Sequence, residues 1–444
     1  MALQLANPIP PRLLMWQRVR LYAVPPSMIE IVSARRAVGD WAGACAAARV
    51  DVDLDLRAVR DRHGTELVRC LRADLRRLAP DLLRWHMPRI QPDGRLRPGL
   101  TVALSRYGAA TLVVRTPPAW ADAGQRMSLA LWDDPAPRHH PHPHPSRRFR
   151  LDLHRHLWDS TRYGDLSARC GADSGSWAAE AELLLAAEGQ PYGPFTVRLG
   201  RRRQSVFELV APDNSHVPTL RPLREPMPAQ EIAVLPQLPE ASTRLLPDLE
   251  LLQASLIAPE NLHPMVAAAL GAEGPGPAAG SKAGDPNRVE CRGEIHRIAL
   301  RDGVLAAVDH DPVQLRREGL LIALGGPGLP CLQAIDDIQR DPDALPAIRD
   351  RIRHGDVVGA LNVIEGLLGP RAILYDGPLR QELESAAARR IDHGRFRSGL
   401  ISSHRAAGAD SPDPELRRPR IGRRTPALVR SKRSSRARRR TGMA

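Results

Sequence analysis

Asp152, His154 and His156, spaced two residues apart, form the arrangement in this chain closest to a metal-binding set. On a strand, residues i, i+2 and i+4 project from one face. A carboxylate and two imidazoles would then converge on a divalent cation, the equipment of a metal-dependent hydrolase. The run from Phe149 to Leu157 alternates as a strand does, with Phe149, Leu151, Leu153 and Leu157 on the opposite side. The same alternation also describes a solvated polar face above an apolar one, which is its ordinary use.

The other clusters are less specific. His139, His140, His142 and His144 alternate with prolines between Pro135 and Pro145. Such a tract reads as an exposed loop, and a loop sets no coordination geometry. Asp51, Asp53 and Asp55 match the spacing of the paired aspartates of magnesium-dependent phosphatases. A helix is expected just before them, however, and no lysine stands near to neutralise an aspartyl phosphate, so they read as a solvated acidic face. Cys291, His296, His310 and Cys331 are spaced like no zinc finger, whose ligands come in tight pairs.

Lysine supply excludes several chemistries outright. Lys282 and Lys432 are the only two lysines. A P-loop needs Gly-Lys followed by a hydroxyl residue, whereas Gly280-Ser281-Lys282-Ala283 has the wrong order and no strand before it. The kinase strand lysine, the Schiff-base lysine and the S-x-x-K pair have no candidate either. No H-E-x-x-H, no G-x-S-x-G and no G-x-G-x-x-G after a strand occurs. No catalytic set is assigned, and no cofactor is expected.

The elements that would carry these residues read as an α+β fold. A Pro-rich extension covers 1–26, and an α+β domain covers 27–270. Within that domain, 27–89 is helical, 99–236 is strand-rich and 241–270 is helical again. In the first part Asp40 stands at an N-cap position, and Leu67, Leu71, Leu75 and Leu78 recur at helical spacing. From Leu100 the period becomes two, with Tyr107-Gly108 turning one strand into the next and a third strand from Met127, in a mixed or antiparallel sheet. Further strands are expected from Phe195 to Leu199 and from Ser205 to Val210. Residues 271–287 form a Gly/Pro linker. A β-hairpin plus helical domain follows over 288–403, turning at Asp302-Gly303, with helices expected over 313–324, 331–339, 345–354, 357–368 and 379–396. One internal echo stands out: Gly39-Asp40 and Gly355-Asp356 each close one helix and open another, with Gly and Ala three and four residues after the Asp.

The formal net charge of +14 is concentrated at the C-terminal end. Arg417, Arg418, Arg420, Arg423, Arg424, Arg430, Lys432, Arg433, Arg436, Arg438, Arg439 and Arg440 lie beyond the last acid, Glu415. Without these 12, the chain carries 52 basic against 50 acidic side chains. Residues 404–444 therefore read as a disordered Arg-rich tail that attracts nucleic acid or other polyanions non-specifically, because it lacks aromatic groups for stacking on bases. The five dispersed cysteines include no C-x-x-C pair and imply reduced thiols in a cytoplasm. No apolar run is long enough to span a membrane.

The stretch from Pro26 to Arg89, with Trp85-His86-Met87-Pro88, resembles an uncharacterised protein family of high-GC actinobacteria. The segment from Glu290 to Pro312 has the same character. The resemblance implies a bacterial cytoplasmic origin and brings no activity or site. The expected function is a non-enzymatic intracellular interaction or scaffold protein with a protein partner. Polyanion binding through the tail is the alternative, and a hydrolase using Asp152, His154 and His156 comes third.

Overall fold

The computed structural model describes residues 9–133, 140, 142, 144–169, 174–200, 203–210, 218–223, 227–271, 288–291, 294–301, 304–307, 311–324, 344–368 and 378–400. Their contacts divide the chain into two units. One comprises Met1–Ser146, His154–Cys170 and Leu245–Gly399; the other is built from Arg147–Leu153 and Gly171–Arg244. This division runs along other lines than the composition, since the helices after residue 344 belong with the N-terminal elements.

The chain enters through helix α1 (Pro11–Arg18), whose leading proline occupies a position with no amide bond to lose, and a π turn over Val19–Ala23. Met15, Trp16, Val19, Ala23 and Val24 are buried, and the rings of Trp16 and Trp85 lie 5.2 Å apart. From Pro11 onward, then, the stretch expected to be an outlying extension is part of the core. Helices α2 (Pro26–Ala37) and α3 (Trp41–Ala47) meet at Gly39, and the Asp40 carboxylate accepts a 2.8 Å bond from the Gly43 amide. Strand β1 (Val50–Asp53) comes next. Helix α4 (Leu56–Arg77) is capped by Asp55, and α5 (Pro80–His86) is buried nearly throughout.

A short pair, β2 (Arg89–Ile90) with β3 (Arg95–Leu96), precedes β4 (Thr101–Tyr107), β5 (Ala110–Arg115) and β6 (Met127–Trp132). The four-stranded sheet has the order β1-β6-β5-β4. β4, β5 and β6 are antiparallel neighbours, as alternation and the Tyr107-Gly108 turn predict. β1 lies parallel to β6, with Val50 opposite Met127 and Asp53 opposite Ala130, so the sheet is mixed. Residues 101–105 and 110–114 are buried without alternation, because both faces of these strands are covered.

The alternating run after Phe149 is not a strand. It folds as turns and a 3-10 helix over Arg155–Leu157, followed by α6 (Leu166–Arg169). The correction has a physical cause. Arg155 binds Asp159 at 2.8 Å and donates to Asp74 and Ser105, which favours a tight turn over extension.

The second unit carries α7 (Ser174–Ala187), then β7 (Gly193–Arg198), β8 (Gln204–Val210) and β9 (Thr219–Pro222) as an antiparallel sheet, and α8 (Ala229–Val234). Its core gathers Ala181, Leu184, Leu185, Phe195, Val197, Leu209 and Leu238.

Helices α9 (Pro247–Gln253) and α10 (Pro264–Leu270) return to the first unit and close over α5. They bring acceptors and donors to its buried polar side chains. Asp248 accepts a 2.7 Å bond from the Trp85 indole, and His263 Nε2 lies 3.1 Å from Asp81. Strands β10 (Arg288–Cys291), β11 (Glu294–Arg301) and β12 (Val304–Ala307) are antiparallel, with Arg301 opposite Val304 across the expected hairpin. Helices α11 (Pro312–Ala323), α12 (Ala344–His354), α13 (Val357–Leu368) and α14 (Pro378–Arg397) follow. Ile348, Ile352, Ala360 and Ile364 form the small core of the α12–α13 pair. Residues 272–287 of the expected linker, the helix expected over 331–339 and the tail lie outside the described residues.

Candidate functional site

A cavity of about 540 Å³ opens where β1 meets α14. Side chains of β1 alternate, so Asp51 and Asp53 project from the same face toward that helix. Arg390, His393, Gly394, Arg397 and Ser398, at i, i+3, i+4, i+7 and i+8, line the opposite wall, and Arg126 stands just before β6. A segment read as a solvated acidic face is thus an edge strand whose acids are paired. The earlier reading failed because the partners of Asp51 lie 75 and 342 residues away in sequence.

Asp51 is saturated. Arg126 grips it as a fork, Nε to Oδ2 at 3.0 Å and Nη2 to Oδ1 at 2.5 Å. His393 Nε2 lies 3.3 Å from Oδ2, and Arg397 Nη1 lies 3.5 Å from Oδ1. Burial alone would raise this carboxyl's pKa. The hydrogen bonds from His393 and Arg126, with the charges of Arg126 and Arg397, outweigh it and hold the group well below the usual carboxylate range. Asp53 accepts a bond from Arg397. Burial disfavours the Arg397 cation, but the bond and charge of Asp53, with the charge of Asp51, push its pKa up.

The His393 ring is equally committed. Its Nδ1 lies 3.1 Å from the Ala121 carbonyl and its Nε2 faces Asp51. Both ring nitrogens are thus turned to protein acceptors. Ser398 Oγ donates to the Gly394 carbonyl at 2.9 Å, with no base beside it. The arrangement can bind and orient. Its one hydroxyl, that of Ser398, is bonded to a backbone carbonyl.

A smaller pouch of about 40 Å³ adjoins this cavity and shares Asp53, His393 and Arg397 with it. Arg115 of β5 lines the pouch together with Ser128, Thr116 and His140. The Nε and Nη2 atoms of Arg115 are buried without a hydrogen-bond partner. Burial lowers the pKa of this guanidinium, while Asp53 and Asp133 act to raise it. Asp133 is itself held by Arg62 at 2.6 Å and His63 at 3.0 Å.

A second polar assembly docks the α12–α13 corner. Gly355 has φ +83°, a value open to glycine, and the Asp356 carboxylate accepts from the Gly359 amide at 3.1 Å. Arg351, five residues before that aspartate, binds it at 2.6 Å, just as Arg35 binds Asp40 at 3.1 Å in the α2–α3 corner. The internal echo is therefore a shared corner, repeated down to its arginine. The two differ in their surroundings. Nothing lies within 4 Å of where a Cβ on Gly39 would stand, whereas Gly355 abuts the Gly124 backbone. Arg49 donates to the His354 carbonyl, the Gln125 amide donates to His354 Nδ1 at 2.8 Å, and His354 Nε2 donates to the Asp93 carbonyl at 3.0 Å. Burial, then the charges of Arg89 and Arg84, lower the His354 pKa to about 3, so the ring is neutral.

The residues singled out from the chain alone are dispersed. Asp152 belongs to the second unit, where it binds Arg150 at 2.8 Å. His154 and His156 belong to the first, buried, with their rings 5.7 Å apart. The strand that was to align them is absent, and among the described residues no three His, Cys, Asp or Glu side chains gather as a metal-ligand set. His140 does not sit on an exposed loop: it is buried, with Nε2 3.1 Å from the Thr116 carbonyl. The side chains of Cys291, His296, His310 and Cys331, and the whole of residues 417–440, lie outside the described residues. Neither Arg115 nor the α14 residues were visible as site candidates. An i, i+3, i+4, i+7, i+8 recurrence of Arg390, His393, Gly394, Arg397 and Ser398 was the available signal, but nothing in the sequence paired it with β1. No protein-family model, curated protein or solved structure matches this chain. Among the described residues, no helix is long and apolar enough to cross a membrane.

Proposed function

We propose that this protein is a non-enzymatic interaction protein that recognises a macromolecular partner inside the cell and transforms no substrate. The observation that carries this reading is the mutual commitment of acid and base groups in the cavity between β1 and α14. Asp51, Asp53, Arg126, His393 and Arg397 engage one another or the backbone, and the one hydroxyl lining the cavity, Ser398, bonds a backbone carbonyl. The buried acid–histidine contacts elsewhere, such as Asp81 with His263, are sealed from solvent and out of a substrate's reach. Exposed apolar side chains on the C-terminal helices support a protein partner: Leu320 and Leu324 on and just after α11, and Val358 and Leu361 on α13.

The test is cross-linking of the full chain under native conditions, quantified against a variant carrying Leu320→Glu and Val358→Glu. A stoichiometric partner lost in the variant supports the reading. No partner in either form, or turnover of ester or phosphomonoester substrates that disappears in His393→Ala, overturns it.

The second reading, polyanion binding, rests on the 12 cations between Arg417 and Arg440 with no acid after Glu415. Such binding weakens steeply with salt. Deletion of residues 405–444 is expected to abolish retention on DNA or RNA, and unchanged retention rejects this reading.

A further inference from the structure

We propose that the paired cavities between β1, β5 and α14 form a binding site for a small phosphate-bearing molecule, held by Arg115 and Arg390. The argument begins with charge. Four guanidinium groups line the two cavities: Arg115, Arg126, Arg390 and Arg397. The two carboxylates there consume two of them, Arg126 on Asp51 and Arg397 on Asp53. Among the described residues, Arg390 has no ion pair or hydrogen bond, and two buried N–H groups of Arg115 have no acceptor. Two cationic forks are therefore left over. Buried donors on a charged group are costly to leave unmade, and those of Arg115 border a cavity open to an outside acceptor.

The leftover charge selects the ligand class. One uncommitted guanidinium on each of the two adjoining cavities suits a dianion with several oxygen acceptors, as a phosphate group presents, better than a single carboxylate. The nearest acids oppose a second anionic group: Asp53 faces both cavities, and Asp133 beside Arg115 is already held by Arg62 and His63. The non-phosphate part of the ligand is accordingly uncharged and hydroxylated. The cavity volume of about 540 Å³ falls in the range of small-molecule pockets and exceeds what a bare phosphate fills. This site is independent of the partner-binding reading, because its residues are not those of the exposed apolar helices.

The test is calorimetric titration of the full chain with two probes, inorganic phosphate and ribose 5-phosphate, for wild type, Arg390→Gln and Arg115→Met. Any contribution from the Arg-rich tail is common to all three proteins. A saturable isotherm is expected, weakened at least about fivefold by R390Q and about tenfold or more by R115M, as for loss of charge-assisted hydrogen bonds. Arg390 is exposed and unpaired, so R390Q keeps the test valid even if R115M fails to fold. Tighter binding of ribose 5-phosphate than of phosphate supports an ester as the ligand, and equal affinities overturn that assignment. Superimposable isotherms for wild type and R390Q, or no saturable binding of either probe, overturn the proposal.

Discussion

Substituting alanine for Gly355 and for Gly39 tests how much of the stability of the first unit depends on docking the α12–α13 corner. Both glycines sit at positive φ, +83° and +76°, so each alanine incurs the left-handed strain of about 1–2 kcal/mol. There the likeness ends. A methyl on Gly39 enters open space. A methyl on Gly355 would lie 2.2 Å from the Gly124 oxygen and 2.8 Å from its Cα and carbonyl carbon. These are backbone atoms, which cannot swing aside as a long side chain does. The corner must withdraw, and overpacking of this kind costs a further 1–3 kcal/mol, roughly. Withdrawal also loosens the bonds that Arg49 and Gln125 make to His354. We expect Gly39→Ala to cost about 1 kcal/mol and Gly355→Ala about 3 kcal/mol or more. Urea unfolding followed by tryptophan fluorescence measures the difference, since six of the seven tryptophans belong to this unit. Equal losses in the two variants would refute the docking argument.

Three further outcomes follow from the same contacts. The His354 pKa is lowered from 6.5 to about 3 in the folded chain, so the unfolded chain binds the extra proton between those values. Its contribution is complete above pH 6.5 and is lost as pH falls toward 3, by about 2 kcal/mol at pH 5. Urea midpoints at pH 7 and pH 5 should therefore differ less in His354→Asn than in wild type. Asp51→Asn leaves Arg126, Arg397 and His393 facing a neutral amide and should cost about 3 kcal/mol. Faster amide exchange over α14 reports the loss, and unchanged exchange rules out the clamp. Removing the cap with Asp40→Ala should cost about 1 kcal/mol. Asp356→Ala should cost more in thermal unfolding, because Arg351 and Arg49 also face that carboxylate.

Much of the secondary structure was legible because its causes are local. The Asp40 cap, the Tyr107-Gly108 hairpin and the pairing of β11 with β12 each depend on residues within a few positions of one another. The shared Gly-Asp corner belongs with them: its arginine, glycines and cap lie within nine residues, Arg35 to Gly43 and Arg351 to Gly359. Where alternation was trusted alone, over Phe149 to Leu157, it misled, because Asp74 and Ser105 hold Arg155 from elsewhere in the fold.

The sequence by itself determined the helix caps, the hairpin turns, the lysine-free chemistry and the concentration of cationic charge after Glu415. Only the tertiary structure decided the site. A four-residue edge strand, Val50–Asp53, is too short to announce itself, and its Asp51 finds His393 across 342 positions. Such a pairing carries no spacing rule. It arises because burying two paired charges together costs less than burying either alone, and that balance is struck only once β1 and α14 share a surface.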